Sequence, residues 1–304
     1  MRPVFLGTSD FAATVLRALA GSPHRPALVV TPPDRRKGRG RKLSPPPAAE
    51  AAGELALELL QAESVNEPEI VERIGAAGPD VGVVCAFGQI IREPLLSKPE
   101  MLNVHPSLLP RWRGAAPIER AIMAGDAVTG VSIMRLGEGL DSGPVALQEE
   151  TPIEASDDHA ALEARLAELG GRLMVRALDL RAGGELELLD QDEVRVTYAE
   201  KIEAADRRLD PARPAAELGL VVRALTPHIG AYLQLAGEER LGVRGATALD
   251  GSTPEGVLAE VDGELRLGTA DGDLRLTLVQ APGGRPMPAG DYLHGHGVPD
   301  LADR

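Results

Sequence analysis

Leu102-Asn103-Val104-His105-Pro106 sets an amide and an imidazole two residues apart in an alternating apolar and polar stretch. Pro106 biases His105 towards extended backbone. In an extended segment residues i and i+2 share a face, so Asn103 and His105 point the same way. One is a hydrogen-bond donor; the other can take and give a proton. A carboxylate, Asp141, stands between Gly139 and Gly143 in the later stretch LGEGLDSG, a loop able to fold closely over a ligand. Each has a plainer reading alone, since Asn and His beside proline form turns and Asp in a glycine-rich loop forms an Asx-turn. As a set they are a candidate site.

These residues must be positioned by the elements around them. Pro3–Leu6 reads as an apolar strand, Phe11–Ala20 as a helix capped at Gly7-Thr8-Ser9-Asp10, and Ala27–Thr31 as a second strand. Strand, helix and strand at this spacing form a βαβ unit of a parallel sheet. Helices are expected at Ala48–Leu60, Glu67–Ala77, Ala115–Ala124 and Asp157–Ala182, and strands at Asp80–Phe87, Thr129–Leu136 and Pro144–Pro152. The nearly unbroken apolar run of Asp80–Phe87 suits a strand buried on both faces. In such sheets ligands bind beyond the carboxyl ends of the strands, where His105 would sit. The first turn has no G-x-G-x-x-G, so the dinucleotide fingerprint is absent. Glu185–Arg208 is mixed and polar, a linker; Pro211–Leu225 contains a helix, and Ala231–Gln280 offers five short strands separated by turn residues.

The 304 residues suffice for two domains, and a net charge of −14 argues against a uniformly basic surface. Against that background Thr31–Pro47 stands out. It contains five prolines, two glycines and the cations Arg35, Arg36, Lys37, Arg39, Arg41 and Lys42. Six cations clustered in an acidic chain point to a polyanionic partner rather than to a solvated loop. The single cysteine, Cys85, lies in VGVVCAF and reads as an inert buried thiol in a reducing, cytoplasmic protein. No apolar run is long enough to span a membrane, and no signal peptide is visible. His294 and His296 read as part of a tail and His159 as a cap or surface residue, none of them as metal ligands.

NVHPSLLPRWRGAAP followed by LDSG resembles the folate-dependent formyltransferases. RWRGAAPIERAIMAGD, the opening GTSDFAATVLRAL and the loop PPDRRKGRGRKLSPPP resemble the branch acting on an aminoacyl-tRNA. The likeness runs from residue 3 to about 203 and is fainter beyond. It implies a Rossmann-like, mostly parallel α/β catalytic domain at 1–189, a linker at 190–206 and a small OB-like β-barrel domain that binds tRNA at 207–304. It implies a catalytic trio of Asn103, His105 and Asp141, a folate-contacting segment Ser107-Leu108-Leu109-Pro110, and the six cations against the tRNA acceptor end, Arg39 foremost. The implied co-substrate is 10-formyltetrahydrofolate and the implied partner initiator methionyl-tRNA, with no metal, no membrane and a monomeric protein. A small amine as acceptor is the alternative. The chain departs from the family pattern at LTPHIGAY, where many relatives carry Trp after the proline and this chain has His228.

Overall fold

The computed structural model describes residues 1–37 and 42–302 and divides the chain into two compact units. The first comprises Met1–Gly114, Val128–Pro152 and Glu163–Tyr198; the second comprises Ala115–Ala127, Ile153–Leu162 and Ala199–Arg304. In chain order the first part forms β1 (Pro3–Gly7), α1 (Asp10–Ala20), β2 (Leu28–Thr31), β3 (Arg35–Lys37), β4 (Lys42–Ser44), α2 (Pro47–Glu54), β5 (Leu59–Gln61) and α3 (Pro68–Ala76). Next come β6 (Val81–Cys85), β7 (Met101–His105), β8 (Arg113–Gly114), α4 (Pro117–Met123), β9 (Val128–Arg135), β10 (Val145–Pro152) and α5 (His159–Gly183). The remainder forms β11 (Tyr198–Ala199), α6 (Ala204–Arg207), α7 (Ala215–Leu225), β12 (Ala231–Gln234), β13 (Arg240–Leu249), β14 (Leu258–Val261), β15 (Glu264–Gly268), β16 (Asp273–Gln280), β17 (Pro286–Pro288) and α8 (Ala289–His296).

A seven-stranded sheet in the order β10-β9-β7-β6-β1-β2-β5 makes the frame of the first unit. β7, β6, β1, β2 and β5 run parallel, while β9 is antiparallel to β7 and β10 to β9. The βαβ expectation holds, and Ser9 caps α1 by accepting the Ala12 N–H. The helix expected over Ala48–Leu60 is corrected: α2 stops at Glu54, and Leu59–Gln61 pairs with Val29–Thr31 as an edge strand. β5 is only three residues long, too short to show a period-two signal beside the alanine-rich helix before it. Val4, Leu6, Leu28, Val30, Val84, Phe87 and Met101 pack one face of the sheet into a dry cluster. Cys85 is wholly buried, and burial pushes its thiol far above the usual range, so it is no nucleophile.

α5 lies close against the sheet because of a glycine pair. A Cβ on Gly170 would come 2.7 Å from Val104 Cγ1, and one on Gly171 would come 2.7 Å from Ala18 Cβ. Small residues there let the helix backbone approach β7, the strand that carries Asn103 and His105.

The second unit is built on an antiparallel sheet in the order β12-β13-β16-β15-β14, with β17 beside β16. β12 to β16 are the five strands expected within Ala231–Gln280. α7 lays Leu218, Val221, Val222 and Leu225 into the core with Leu241, Val243, Leu265, Leu274 and Leu276. Arg120 on α4 grips Asp206 with two parallel hydrogen bonds of 3.0 Å. His159 is buried at the start of α5, and desolvation pushes its pKa down to about 4. Among the described residues no helix is long and apolar enough to cross a membrane.

The packing at Gly170 has a measurable consequence. Gly170→Val should destabilise the protein by about 1–3 kcal/mol, the usual cost of overpacking. Gly219→Ala on α7, where an added Cβ meets nothing within 4 Å, should instead stabilise by about 0.5–1 kcal/mol. Urea midpoints of the two variants should therefore move in opposite directions; a Gly170→Val midpoint at or above that of the unaltered protein would refute the close approach of α5.

Candidate active site

β7 and the turn after it place the first two candidate residues. Asn103 pairs with Val84 of β6 on one side and with Met134 of β9 on the other, and His105 stands opposite Ser132. Asn103 is half-buried, and its side-chain amide makes no hydrogen bond to the protein among the described residues. The imidazole of His105 is buried, and its Nε2 donates to the Trp112 carbonyl at 2.9 Å. A carbonyl only accepts, so this bond puts a proton on Nε2 and turns Nδ1 the other way. Nδ1 faces Asp141 Oδ2 at 3.7 Å, too far for a direct hydrogen bond and close enough for one shared atom between them.

Asp141 sits in the turn between β9 and β10 with φ 44°, a left-handed conformation that Asp tolerates better than most residues. Its Oδ2 accepts the Gly114 N–H at 2.9 Å. Gln191 donates to the carbonyls of Asp141 and Gly143 at 2.8 and 2.7 Å, pinning the loop from behind. Gln191 is in turn held by Arg113 Nε at 3.0 Å. Arg113 is buried, and Glu193 meets its guanidinium with two bonds of 3.2 and 2.8 Å. Those bonds hold the Glu193 carboxyl below its ordinary range. Trp112 between them has φ 66°, which is strained for a bulky side chain, and its N–H donates to Thr197 Oγ1 at 2.9 Å.

The segment Ser107–Pro110 forms a braced turn. Ser107 is wholly buried and its Oγ donates to the Arg111 carbonyl at 2.6 Å. Ser132 Oγ donates to the Ser107 carbonyl while accepting from the Leu109 N–H and from Gln148 Nε2. Leu108, Leu109 and Pro110 then line a cavity of about 680 Å³, completed by Arg111, Gln148, Glu150 and Arg195. Ser107 is not in that wall. Gly130 makes room for it, since a Cβ there would come 2.6 Å from Leu108 Cδ2 and also meet the Glu149 carbonyl.

Of the basic stretch, Arg35–Lys37 and Lys42–Ser44 pair as an antiparallel hairpin rather than an open loop. Arg35, Arg36 and Lys42 are exposed. Arg39 and Arg41, with Gly38 and Gly40, lie outside the described residues. Trp112, Gln191, Glu193 and Thr197 are absent from the sequence-based set. Trp112 lies in the RWRG motif, but it acts through its carbonyl; the others come from 80 residues downstream with no local signal.

Comparison with known proteins decides the family. Residues 1–178 match the formyl transferase model and residues 201–297 match the formyl transferase C-terminal domain. The chain belongs to the formyl transferase family. It is 44% identical over 299 residues to methionyl-tRNA formyltransferase from Halorhodospira halophila, covering 97% of this chain and 96% of that protein. It is 42% identical over 305 residues to the methionyl-tRNA formyltransferase of Paracoccus denitrificans, covering 100% of each. The fold is also that of Aquifex aeolicus HypX in complex with tetrahydrofolic acid, at 21% identity and TM-score 0.65 over 96% of this chain and 47% of that one. Glycinamide ribonucleotide transformylase 1 from Symbiobacterium toebii shares it at 24% identity and TM-score 0.53, over 63% of this chain and 94% of that one.

For this family member the Trp112 conformation is testable. Thr197→Val keeps the shape but leaves the Trp112 N–H without its acceptor, a loss of about 1–3 kcal/mol. Formyl-transfer turnover should fall by roughly 10-fold or more as Trp112 relaxes and releases His105, since about 1.4 kcal/mol is a factor of ten. Unchanged turnover in a folded Thr197→Val protein would show that Trp112 needs no such brace.

Proposed function

We propose that this chain transfers the formyl group of 10-formyltetrahydrofolate to the α-amino group of initiator methionyl-tRNA, acting as a cytoplasmic monomer. The observation that carries the reading is the imidazole of His105. Its tautomer is set by a backbone carbonyl, its free nitrogen is turned to Asp141, and the Leu108–Pro110 wall is three residues along the chain. The near-full-length likeness to methionyl-tRNA formyltransferases supports the acceptor.

The residues fit a folate. Leu108, Leu109 and Pro110 offer an apolar wall for a flat ring, and Arg111 and Arg195 offer positive charge for carboxylates. The Asn103 amide, with no hydrogen-bond partner among the described residues, is a donor kept for a ligand. The bound folate supplies an activated formyl carbon, and everything else falls to the chain. Asn103 donates its N–H to the oxygen on which negative charge gathers, an interaction worth about 10²–10³ in rate. His105 Nδ1 takes the proton that the amine sheds and returns one to the departing nitrogen. Asp141 Oδ2, across the 3.7 Å gap, stabilises the imidazole while it is charged. The attacking α-amine has an ordinary pKa near 7.7–8, lowered further by its ester neighbour, so no stronger base is required.

Catalysis is assigned to residues 1–189, with Gln191, Glu193 and Thr197 bracing the site from within the 190–206 stretch expected as a linker, and tRNA binding to residues 207–304. The hairpin cations Arg35, Arg36, Lys37 and Lys42, with Arg39 and Arg41, meet the acceptor stem.

Three expectations test this. Asn103→Ala, His105→Ala and Asp141→Ala should each lower kcat for methionyl-tRNA by at least about 10²-fold in folded protein. Combined, they should cost far less than the product of their separate effects, because they serve one transition state. Near-normal turnover by a folded His105→Ala protein would remove it from the mechanism. Separately, Arg35→Ala or Arg36→Ala should flatten the dependence of log(kcat/KM) on log salt by about 0.9 per lost phosphate contact while folate affinity stays constant. A comparison of charged initiator tRNA with glycinamide ribonucleotide and an amino sugar identifies the acceptor: preference for either small amine would overturn the tRNA assignment.

A further inference from the structure

The second unit contains a side-chain cluster that formyl transfer does not use. Glu119 lies on α4, His159 opens α5, and His228 lies in the turn after α7. Both imidazoles present Nε2 to the same carboxylate oxygen. His228 Nε2 is 3.0 Å from Glu119 Oε1 and His159 Nε2 is 3.6 Å from it. The two rings are tilted against each other, with centroids 3.8 Å apart and planes 33° apart. One donor atom from each of the three residues falls within 4.8 Å of the others.

We propose that Glu119, His159 and His228 form a binding site for a late first-row divalent cation, Zn²⁺ being the occupant. The spacing supports it. Zn–N and Zn–O bonds of about 2.0–2.2 Å at tetrahedral angles put neighbouring donors roughly 3.3–3.6 Å apart. The two carboxylate–imidazole separations, 3.0 and 3.6 Å, lie near that range, and all three donor atoms fall within 4.8 Å of one another, so an ion is held after rotation of the side chains. Chemistry selects the ion. Two imidazoles and one carboxylate suit Zn²⁺ or Co²⁺, whereas Mg²⁺ and Ca²⁺ prefer all-oxygen shells.

Burial gives the site a closed side and an entrance. The side chains of Glu119 and His159 are 12% and 9% exposed, while His228 is 35% exposed, leaving the fourth vertex to water. The three ligands come from segments far apart in sequence, so the ion would clip α4, the start of α5 and the turn after α7 into one piece. Its role is structural, with none of the three residues in the formyl-transfer machinery.

The full-length protein, freed of metal with a chelator, should bind Zn²⁺ at one equivalent by titration calorimetry. Co²⁺ should develop the visible bands of a tetrahedral complex. Zn²⁺ in hundredfold excess over its dissociation constant should raise the melting temperature by several degrees, in line with binding to the folded state alone. His228→Ala, a change at a partly exposed position that folding tolerates, should abolish all three signals, and Glu119→Gln should weaken binding at least tenfold. The double variant His294→Ala/His296→Ala removes two histidines of α8 outside the cluster and should bind Zn²⁺ unchanged. No saturable Zn²⁺ binding, or binding that survives His228→Ala, would overturn the proposal and leave the cluster as an ion pair between one carboxylate and two imidazoles.

Discussion

The site depends on one hydrogen bond, from His105 Nε2 to the Trp112 carbonyl. It decides which imidazole nitrogen is committed and which is available. To aim its carbonyl that way, Trp112 adopts φ 66°, a conformation costing on the order of 1–3 kcal/mol for such a residue. The surroundings hold it there. Thr197 receives the Trp112 N–H through its hydroxyl, and its own carbonyl receives the Arg113 N–H at 2.9 Å. From Arg113 the network runs through Gln191 to the backbone of Asp141 and Gly143. The imidazole and the carboxylate are thus positioned by one connected set of bonds, and their 3.7 Å separation is a property of that set.

How much of this was legible in the sequence differs by residue. Asn103 and His105 were readable as neighbours on one strand, because alternation and Pro106 are local signals. The parallel sheet was readable from strand and helix spacing, and the five strands of Ala231–Gln280 from their turn residues. The β5 edge strand was not, since its partner β2 lies 27 residues upstream and strand pairing overrode the helical composition before it. Thr197, Gln191 and Glu193 were not legible either. Their roles arise only when the chain returns after α5, and nothing near them in sequence marks a contact with residues 112 to 143. The basic stretch was legible as charge but not as paired strands, because the cations that mark it carry no period-two signal.

Charge is distributed unevenly. The chain carries a net −14, yet Arg35, Arg36 and Lys42 stand exposed on one hairpin. Local fields, not the overall balance, govern how a polyanion is met within a Debye length of about 8–10 Å. Several basic side chains elsewhere are engaged with acids: Arg113 with Glu193, Arg120 with Asp206, and Arg266 and Arg275 with Glu264.

The central claim is that the end of β7 and the turn after it receive the folate. Hydrogen exchange of the full-length protein, followed with and without a non-reactive folate analogue, addresses it directly. Protection should rise across residues 103 to 113, led by the amides around Leu108 to Arg111, and should stay unchanged in β12 to β16. An exchange pattern across 103 to 113 that the analogue leaves untouched would contradict the account.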